Sequence, residues 1–588
     1  MSKRPIRIAN ISGFFGDRPA ALREQIEGGD VDVLSGDYLA ELTMLILAKT
    51  RTRRPDGGYA RSFVEALDDV LPLVIERGIK VVVNAGGLDP RGAAEAIRRS
   101  LEAQGLVAGV ASIAGDDLMN RLGSLQAGGE TFTNLQTGEP LGRLASELVT
   151  ANAYMGGWGI TRALHEGADI VITGRVADAS VVSGPAAWWH GWDRHDYDRL
   201  AGAVAAGHVV ECGMQATGGN YAFFSDIGDM TYPAFPWAEV ADDGSSVIGK
   251  HDGTGGEVSV GTVVSQLLYE IGPPAYAAPD VVARFDTAQL RQVGPDRVAI
   301  SGVRGEPPPQ TLKVAASTVG GYRNSMLFGL TGLNAEAKAK TISDQVWRVL
   351  PWTREDYDGV DEALIGVGSE DPTSNEEATS FWRMAVKSRD EERVGRAFSN
   401  AAVSVLLGSV PGLFIVHPPS PATPFARYWP TTVDRSVIVE QVELDGRTFE
   451  IEETVPGERE PVTPDPIDIP SVPSGPTRRA PLGSILGARS GDKGGIGNIG
   501  VFARSALAYA WMAETLSVER LRVLMPDVAH LEIDRYELPN IWSLNFLVHG
   551  ILGEGVNSSL RLDGQAKGLG EYLRACQMEV PELLLNAH

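Results

Sequence analysis

Cysteine is nearly absent: Cys212 and Cys576 are the two in 588 residues. That excludes a disulfide framework or a cysteine zinc cluster and fits a reducing cytosol. Basic side chains are in deficit as well, 52 Lys and Arg against 76 Asp and Glu, for a formal net charge of -24. Nonspecific binding to nucleic acid or anionic lipid is therefore disfavoured, and solubility is favoured. No uncharged apolar run is long enough to span a bilayer, and Met1 to Pro5 is a polar lead without the apolar centre of a signal peptide. The expectation is a soluble cytoplasmic protein with neither a nucleic-acid nor a membrane partner. The nine histidines form no H-x-x-x-H or H-E-x-x-H pair, which argues against a histidine zinc site; oxygen ligation of a divalent metal such as magnesium stays open, because many aspartates fall in loops. None of the loops that close the strands of the first part reads G-x-x-x-x-G-K-[ST] or G-x-G-x-x-G, so a nucleoside triphosphate or dinucleotide is not the default ligand, and no cofactor is identified.

With 43% hydrophobic and 22% charged residues the chain can bury large cores and should form at least two domains. Its first part alternates apolar strands with amphipathic helices. Strands are expected at Ile6 to Ile11, Val31 to Leu34, Lys80 to Val83, Leu106 to Ile113 and Asp169 to Thr173, with helices between them, among them Gly58 to Arg77, Pro90 to Gln104, Leu141 to Ala151 and Gly157 to Glu166. This alternation argues for a mainly parallel sheet wrapped on both faces. Ligands of such sheets bind outside the carboxyl ends of the strands. Each strand here ends in glycine and short polar residues: Ser12, Gly13 and Asp17; Asp37; Asn84, Gly86 and Gly87; Asp116 and Asp117; Gly174, Arg175 and Asp178. One such loop is ordinary turn chemistry. Five on one edge place the main site there.

The middle of the chain adds Trp188, Trp189 and Trp192, read as core or subunit-contact aromatics. His208, Glu211 and Cys212 follow, three and four apart, so that on a helix they share a face. Glu211 or His208 is a candidate acid/base, whereas Cys212 reads as a buried, inert thiol. Lys250, His251, Gly255 and Gly256 precede an amphipathic stretch, where loop amides and a helix N-terminus can meet an anion; a glycine turn with a solvated lysine is the competing reading.

Between Val455 and Pro481 eight prolines recur without apolar periodicity, which reads as an extended linker. It divides an α/β domain, residues 1–454, from a small α+β domain, residues 482–588. In the latter, strands are expected at Ser484 to Ala488, Val528 to Tyr536 and Asn545 to Leu552, and helices at Ile499 to Glu514, Val518 to Met525 and Gly568 to Ala575. Just beyond the linker, Arg489, Ser490, Asp492, Lys493, Gly494, Gly495 and Asn498 lie in one glycine-dense run that cannot be helical. Its amides and two cations suit a phosphate, carboxylate or thioester oxygen; the competing reading is a charged turn joining two strands.

The blocks Ile8 to Asp17, Val83 to Gly87, Ile172 to Ser180, Glu211 to Gly213 and Gly255-Gly256 resemble those of the AtuA family, the acyclic terpene utilisation proteins. The run from Ala488 to Asn498 resembles the opening of the ferredoxin-like domain that accompanies that family. The resemblance implies catabolism of branched acyclic terpenoids of the citronellol and geraniol type through coenzyme A thioesters, and carries no agreed catalytic residues. Together with the loops it points to a lyase or hydratase acting on an acyl-CoA or carboxylate, with coenzyme A as part of the substrate. Asp178 or Glu211 would be the base, and Arg175, Arg489 or Lys493 would hold the oxyanion. The alternatives are a non-catalytic acyl-CoA-binding scaffold subunit and a divalent-metal hydrolase; a homo-oligomer is expected in each case.

Overall fold

Five short runs of β-branched and small residues pair side by side in parallel in the computed structural model, which describes residues 3–54 and 57–586. In space their order is Ile6–Ser12, Val33–Gly36, Lys80–Val83, Ile170–Thr173, Val110–Ala114. Both faces of these strands are apolar. Ile8, Val82, Ala111 and Val171 enter one core cluster while Ala9, Val81, Val83 and Ile172 enter another, the period-2 signature of a sheet covered on both sides. Because the five strands are parallel and adjacent, the loops after Ser12, Gly36, Val83, Ala114 and Thr173 emerge on one edge.

The parallel block is the centre of a wider mixed sheet. Trp237–Val240, Ser246–Gly249, Arg297–Ser301 and Gln289–Gly294 extend it antiparallel on one side, Gln441–Leu444 and Arg447–Glu450 on the other. Two expected helices differ. Gly58 to Arg77 is two helices, Arg61–Asp68 and Leu71–Glu76, and Leu141 to Ala151 is a short 3₁₀ turn leading into the strand Leu148–Ala153.

After Arg447–Glu450 there is neither helix nor strand until Thr477–Pro481. This proline-rich stretch is nevertheless held at its start: the Gly457 amide donates to the Tyr197 hydroxyl, Arg459 pairs with Asp198, and Val462 is buried with its amide on Glu306. Beyond it an antiparallel sheet runs in the order Leu486–Lys493, Ile496–Ala503, Ser543–Val548, Ile533–Leu538, with the helices Ala506–Thr515, Val518–Leu524 and Leu569–Ala575. The glycine-dense run is thus a β-hairpin closed at Gly494-Gly495, and the helix expected from Ile499 is strand as far as Ala503.

By backbone contacts the chain divides into two compact units. One comprises Met1–Ser317, Trp429–Ile551 and Gln565–His588, so the C-terminal sheet and the large sheet belong together; the other comprises Thr318–Tyr428 and Leu552–Gly564. The second unit pairs Tyr322–Thr331 with Thr379–Ser388, which also pairs with Gly359–Ile365, around a core of Phe328, Trp382, Ile342 and Phe398.

Candidate functional site

Arg175 is the hub of the strand-end edge. It follows Thr173-Gly174 at the end of the fourth parallel strand in space, and its amide is fixed by Asp116 Oδ2 at 2.9 Å. Asp116 also accepts from Asn152 Nδ2 at 2.8 Å, and burial raises its carboxyl to about 6. No side chain fits at Gly174, where a Cβ would come 2.4 Å from Asp116. The guanidinium then donates to the Leu39 carbonyl at 2.9 Å, to Asp178 Oδ1 at 3.0 Å and to the Tyr154 hydroxyl at 2.8 Å, and stacks 4.2 Å from the Tyr154 ring. Tyr154 in turn donates to Glu41 at 3.2 Å, and Lys313 lies 4.7 Å over its ring.

A second wall comes from the end of the helix Tyr197–Val210. His208 and Glu211 are both buried, with His208 Nδ1 3.1 Å from Glu211 Oε1 and the imidazole packed on Tyr276 and Phe285. Burial first, then the charges of Asp178 and Glu270, push the Glu211 carboxyl well above the usual carboxylate range. Burial, reinforced by Lys493, lowers His208 to about 4. Both shifts favour the neutral forms, a carboxylic acid beside an uncharged imidazole, and the second oxygen of Glu211 has no hydrogen-bond partner among the described residues.

The third wall is the C-terminal hairpin. Lys493 Nζ donates to the Glu270 carbonyl at 3.0 Å and lies 5.9 Å over the Tyr276 ring. Lys567 pairs with Glu270 at 2.9 Å and with Asp492 at 3.7 Å, and hydrogen-bonds the Tyr269 hydroxyl. Burial and the Glu270 charge raise Asp492 to about 7. The three walls bring these side chains into one neighbourhood, in which the charges of Asp178, Glu270, Arg175 and Lys493 all act on Glu211. Arg175, His208 and Glu211 keep 4%, 2% and 9% of their side-chain surface and are buried, while Asp178 and Glu270 keep 28% and 38% and are partly open to solvent.

Arg175, Asp178, His208, Glu211, Asp492 and Lys493 thus stand in one neighbourhood. Asp37 and Asn84 adjoin them: Asn84 Nδ2 donates to Asp37, whose carboxyl is raised by burial and by Asp178 and lowered by Arg175. Ser12, Gly13 and Asp17 form the next loop, with the Gly13 amide on Asp17 and Ser12 against Tyr38. Gly86 and Gly87 serve packing, a Cβ at Gly86 meeting the Thr173 carbonyl at 2.5 Å, and Asp117 caps a local turn through the Met119 amide. Arg489, Ser490 and Asn498 anchor the hairpin. Arg489 bonds Gln215 at 2.6 Å and covers the Tyr269 ring, Ser490 holds the Lys567 carbonyl and the Gly570 amide, and Asn498 accepts from the Glu270 amide. Gly494 and Gly495 are the turn itself.

Four residues are not brought to the site. Lys250 is buried against Asp296 at 3.0 Å, and His251 packs on Gly28 and Gly29. Gly255 and Gly256 lie against the backbone of Tyr232 and Thr217, where a Cβ would clash, so these glycines answer to packing instead of ligand approach. Conversely, Glu41, Tyr154, Glu270, Tyr276, Lys313 and Lys567 belong to the site without any local signal. Each is one polar residue in an ordinary segment, apart from the left-handed backbone of Glu270 at φ 54°, which nothing in the sequence announces. Among the described residues no group of three His, Cys, Asp or Glu side chains is arranged to hold a metal ion, and no helix is long and apolar enough to cross a membrane.

Comparison with known families gives two matches. Residues 6–444 match the model of the acyclic terpene utilisation family protein AtuA, and residues 480–579 match that of the AtuA ferredoxin-like domain. No curated protein matches the chain.

Proposed function

The chain belongs to the AtuA family of acyclic terpene utilisation proteins, and from that premise we propose that it is an enzyme: a lyase or hydratase acting on a branched acyl carboxylate or its coenzyme A thioester by acid/base chemistry. One observation carries this reading. Within a single neighbourhood, Arg175 opposes the rise that burial imposes on the Asp178 carboxyl, while burial and the charges of Asp178 and Glu270 push Glu211 well above the usual carboxylate range. Two carboxyls whose environments differ in this way are suited to opposite roles in proton transfer.

Asp178, half-buried beside Arg175, removes the proton next to the substrate carbonyl. Arg175 stabilises the negative charge that develops on the carbonyl oxygen, in surroundings where water no longer screens it. Glu211 delivers a proton to the leaving or adding oxygen and is oriented through His208. Lys493 and Lys313 add positive charge around the site, which fits an anionic substrate.

The test is exchange of the C2 proton of citronellyl-CoA with deuterated solvent, followed by mass measurement, alongside hydration of geranyl-CoA. Wild-type protein is expected to catalyse at least one of the two, and Asp178→Asn and Glu211→Gln each to lose roughly 10²–10⁴-fold. Rates within a few-fold of wild type in both folded variants would remove these residues from the chemistry.

A further inference from the structure

Lys493 is an unusual lysine. It is the last residue of the strand Leu486–Lys493, and its stem is fixed by the two-residue turn that follows, where Gly494 takes φ 69°. Its ammonium lies 5.9 Å over the Tyr276 ring with one protein acceptor, the Glu270 carbonyl. Among the described residues no carboxylate lies within ion-pairing distance of it. The neighbouring carboxylates, Glu270 and Asp492, are instead engaged by Lys567. A half-buried ammonium without a paired carboxylate carries a desolvation cost, and that cost is relieved by losing the proton.

We propose that Lys493 is a covalent catalyst, its ε-amine condensing with the ketone carbonyl of a 3-oxo acid or its thioester to form an imine in the site. This deepens the acid/base reading above and rests on it for the proton donor. Burial and the charge of Lys313 lower Lys493 to about 8, which leaves roughly a hundred-fold more free amine at neutral pH than an ordinary lysine holds.

The step balances. The amine nitrogen bonds the carbonyl carbon, and the carbonyl oxygen leaves as water carrying one proton from the amine and one from Glu211. The iminium that remains keeps the other amine proton. Glu211 is suited to this donation because it enters as the neutral acid and becomes a carboxylate among cations, Arg175 and Lys493, whose charges already act on it. The iminium then accepts the electron pair of the C2–C1 bond of a 3-oxo acid, whose carboxylate departs as carbon dioxide; the enamine left behind takes a proton at C2, and water hydrolyses the iminium to release the ketone and the free amine. A lyase requires such a sink, and Arg175 remains free of the covalent step to hold the acid or thioester oxygen.

The experiment treats the full-length protein with acetoacetate and sodium cyanoborohydride, then maps adducts by peptide mass spectrometry. One adduct is expected, on the peptide carrying Lys493, forming at a rate that rises with pH through a midpoint near 8. Exposed lysines such as Lys49 and Lys340 should label far more slowly. Lys493→Arg keeps the charge and should lose this adduct. Labelling spread over many lysines, or absent from Lys493, overturns the proposal, and the wild-type map alone decides this even if the variant fails to fold. The two readings separate cleanly. C2 exchange by the wild-type protein without labelling of Lys493 sinks the imine and spares the acid/base assignment. Specific labelling of Lys493 with undiminished exchange in Asp178→Asn does the reverse.

Discussion

Arg175 joins a backbone carbonyl, a carboxylate and a phenol through one planar group, and lysine cannot imitate that. Arg175→Lys should fold yet lose roughly ten- to a hundred-fold in kcat/KM, as a misdirected charge does. Arg175→Ala goes further, because it leaves Asp178 buried without its counter-charge. Burial already raises the Asp178 carboxyl and Arg175 lowers it, so removing Arg175 raises it more. Since the base must be ionised, the acid limb of the pH–rate profile should move to higher pH; an unmoved limb would show that Asp178 does not titrate in the rate. A different residue governs stability. Burial and the Asp280 charge raise Glu440 to about 8, so the folded state binds its proton more tightly than the unfolded chain does. Stability is therefore lost as pH rises from the unfolded value near 4 to about 8. Glu440→Gln, which cannot ionise, should raise the melting temperature more at pH 9 than at pH 5; an equal effect at both would refute the assignment. Arg175, Asp178 and Glu211 could be read in the sequence because glycine-flanked strand ends and a helix face single them out. Glu41, Lys313 and Lys567 could not, since their meeting depends on elements hundreds of residues apart.

At the scale of elements, the hairpin from Leu486 to Ala503 explains why its glycines are dense. Gly491 packs on Tyr269, where a Cβ would stand 2.6 Å from the ring, and Gly500 packs on Leu268, where it would stand 2.5 Å from that side chain. The small residues let the hairpin approach the segment Leu268 to Glu270 and so set the position of Lys493. Gly491→Ala and Gly500→Ala should each cost about 1–3 kcal/mol through overpacking. They should also lower kcat/KM roughly ten-fold or more, since the lysine is displaced by part of an ångström. Variants with wild-type kinetics would mean that the hairpin does not position the chemistry. The strand Ile496–Ala503 was misread for a related reason. Ile499, Val501 and Phe502 are all buried, so the run is apolar on both faces, and periodicity does not separate such a strand from a buried helix. The five parallel strands were legible because each is short, β-branched and closed by glycine. The pairing of the antiparallel flanks was not, since it joins distant hairpins and no crossover helix marks it.

On the scale of the whole molecule, the question is what the proline-rich stretch separates. Its composition describes a linker across which few contacts should pass. Around it, however, the C-terminal sheet is joined to the large one by buried bonds: Asn545 donates to the Gly272 carbonyl, Asn540 to those of Phe285 and Ala288, and Arg489 to Gln215. Composition reports what a segment cannot pack by itself and says nothing of what its two ends bring together. Limited proteolysis should therefore cut after Val462 and before Thr477, where neither helix nor strand protects the backbone, and should spare the stretch from Gly457 to Val462, which Tyr197, Asp198 and Glu306 hold. The nicked protein should still elute as one species on gel filtration and keep its activity, because the buried contacts and the site do not depend on that stretch being continuous. Mild urea should part the fragments and abolish activity, and dilution out of urea should restore both together by mass action. If the nick alone releases a free C-terminal domain while the larger fragment stays fully active, then Lys493 is not part of the site and the hairpin is a surface turn.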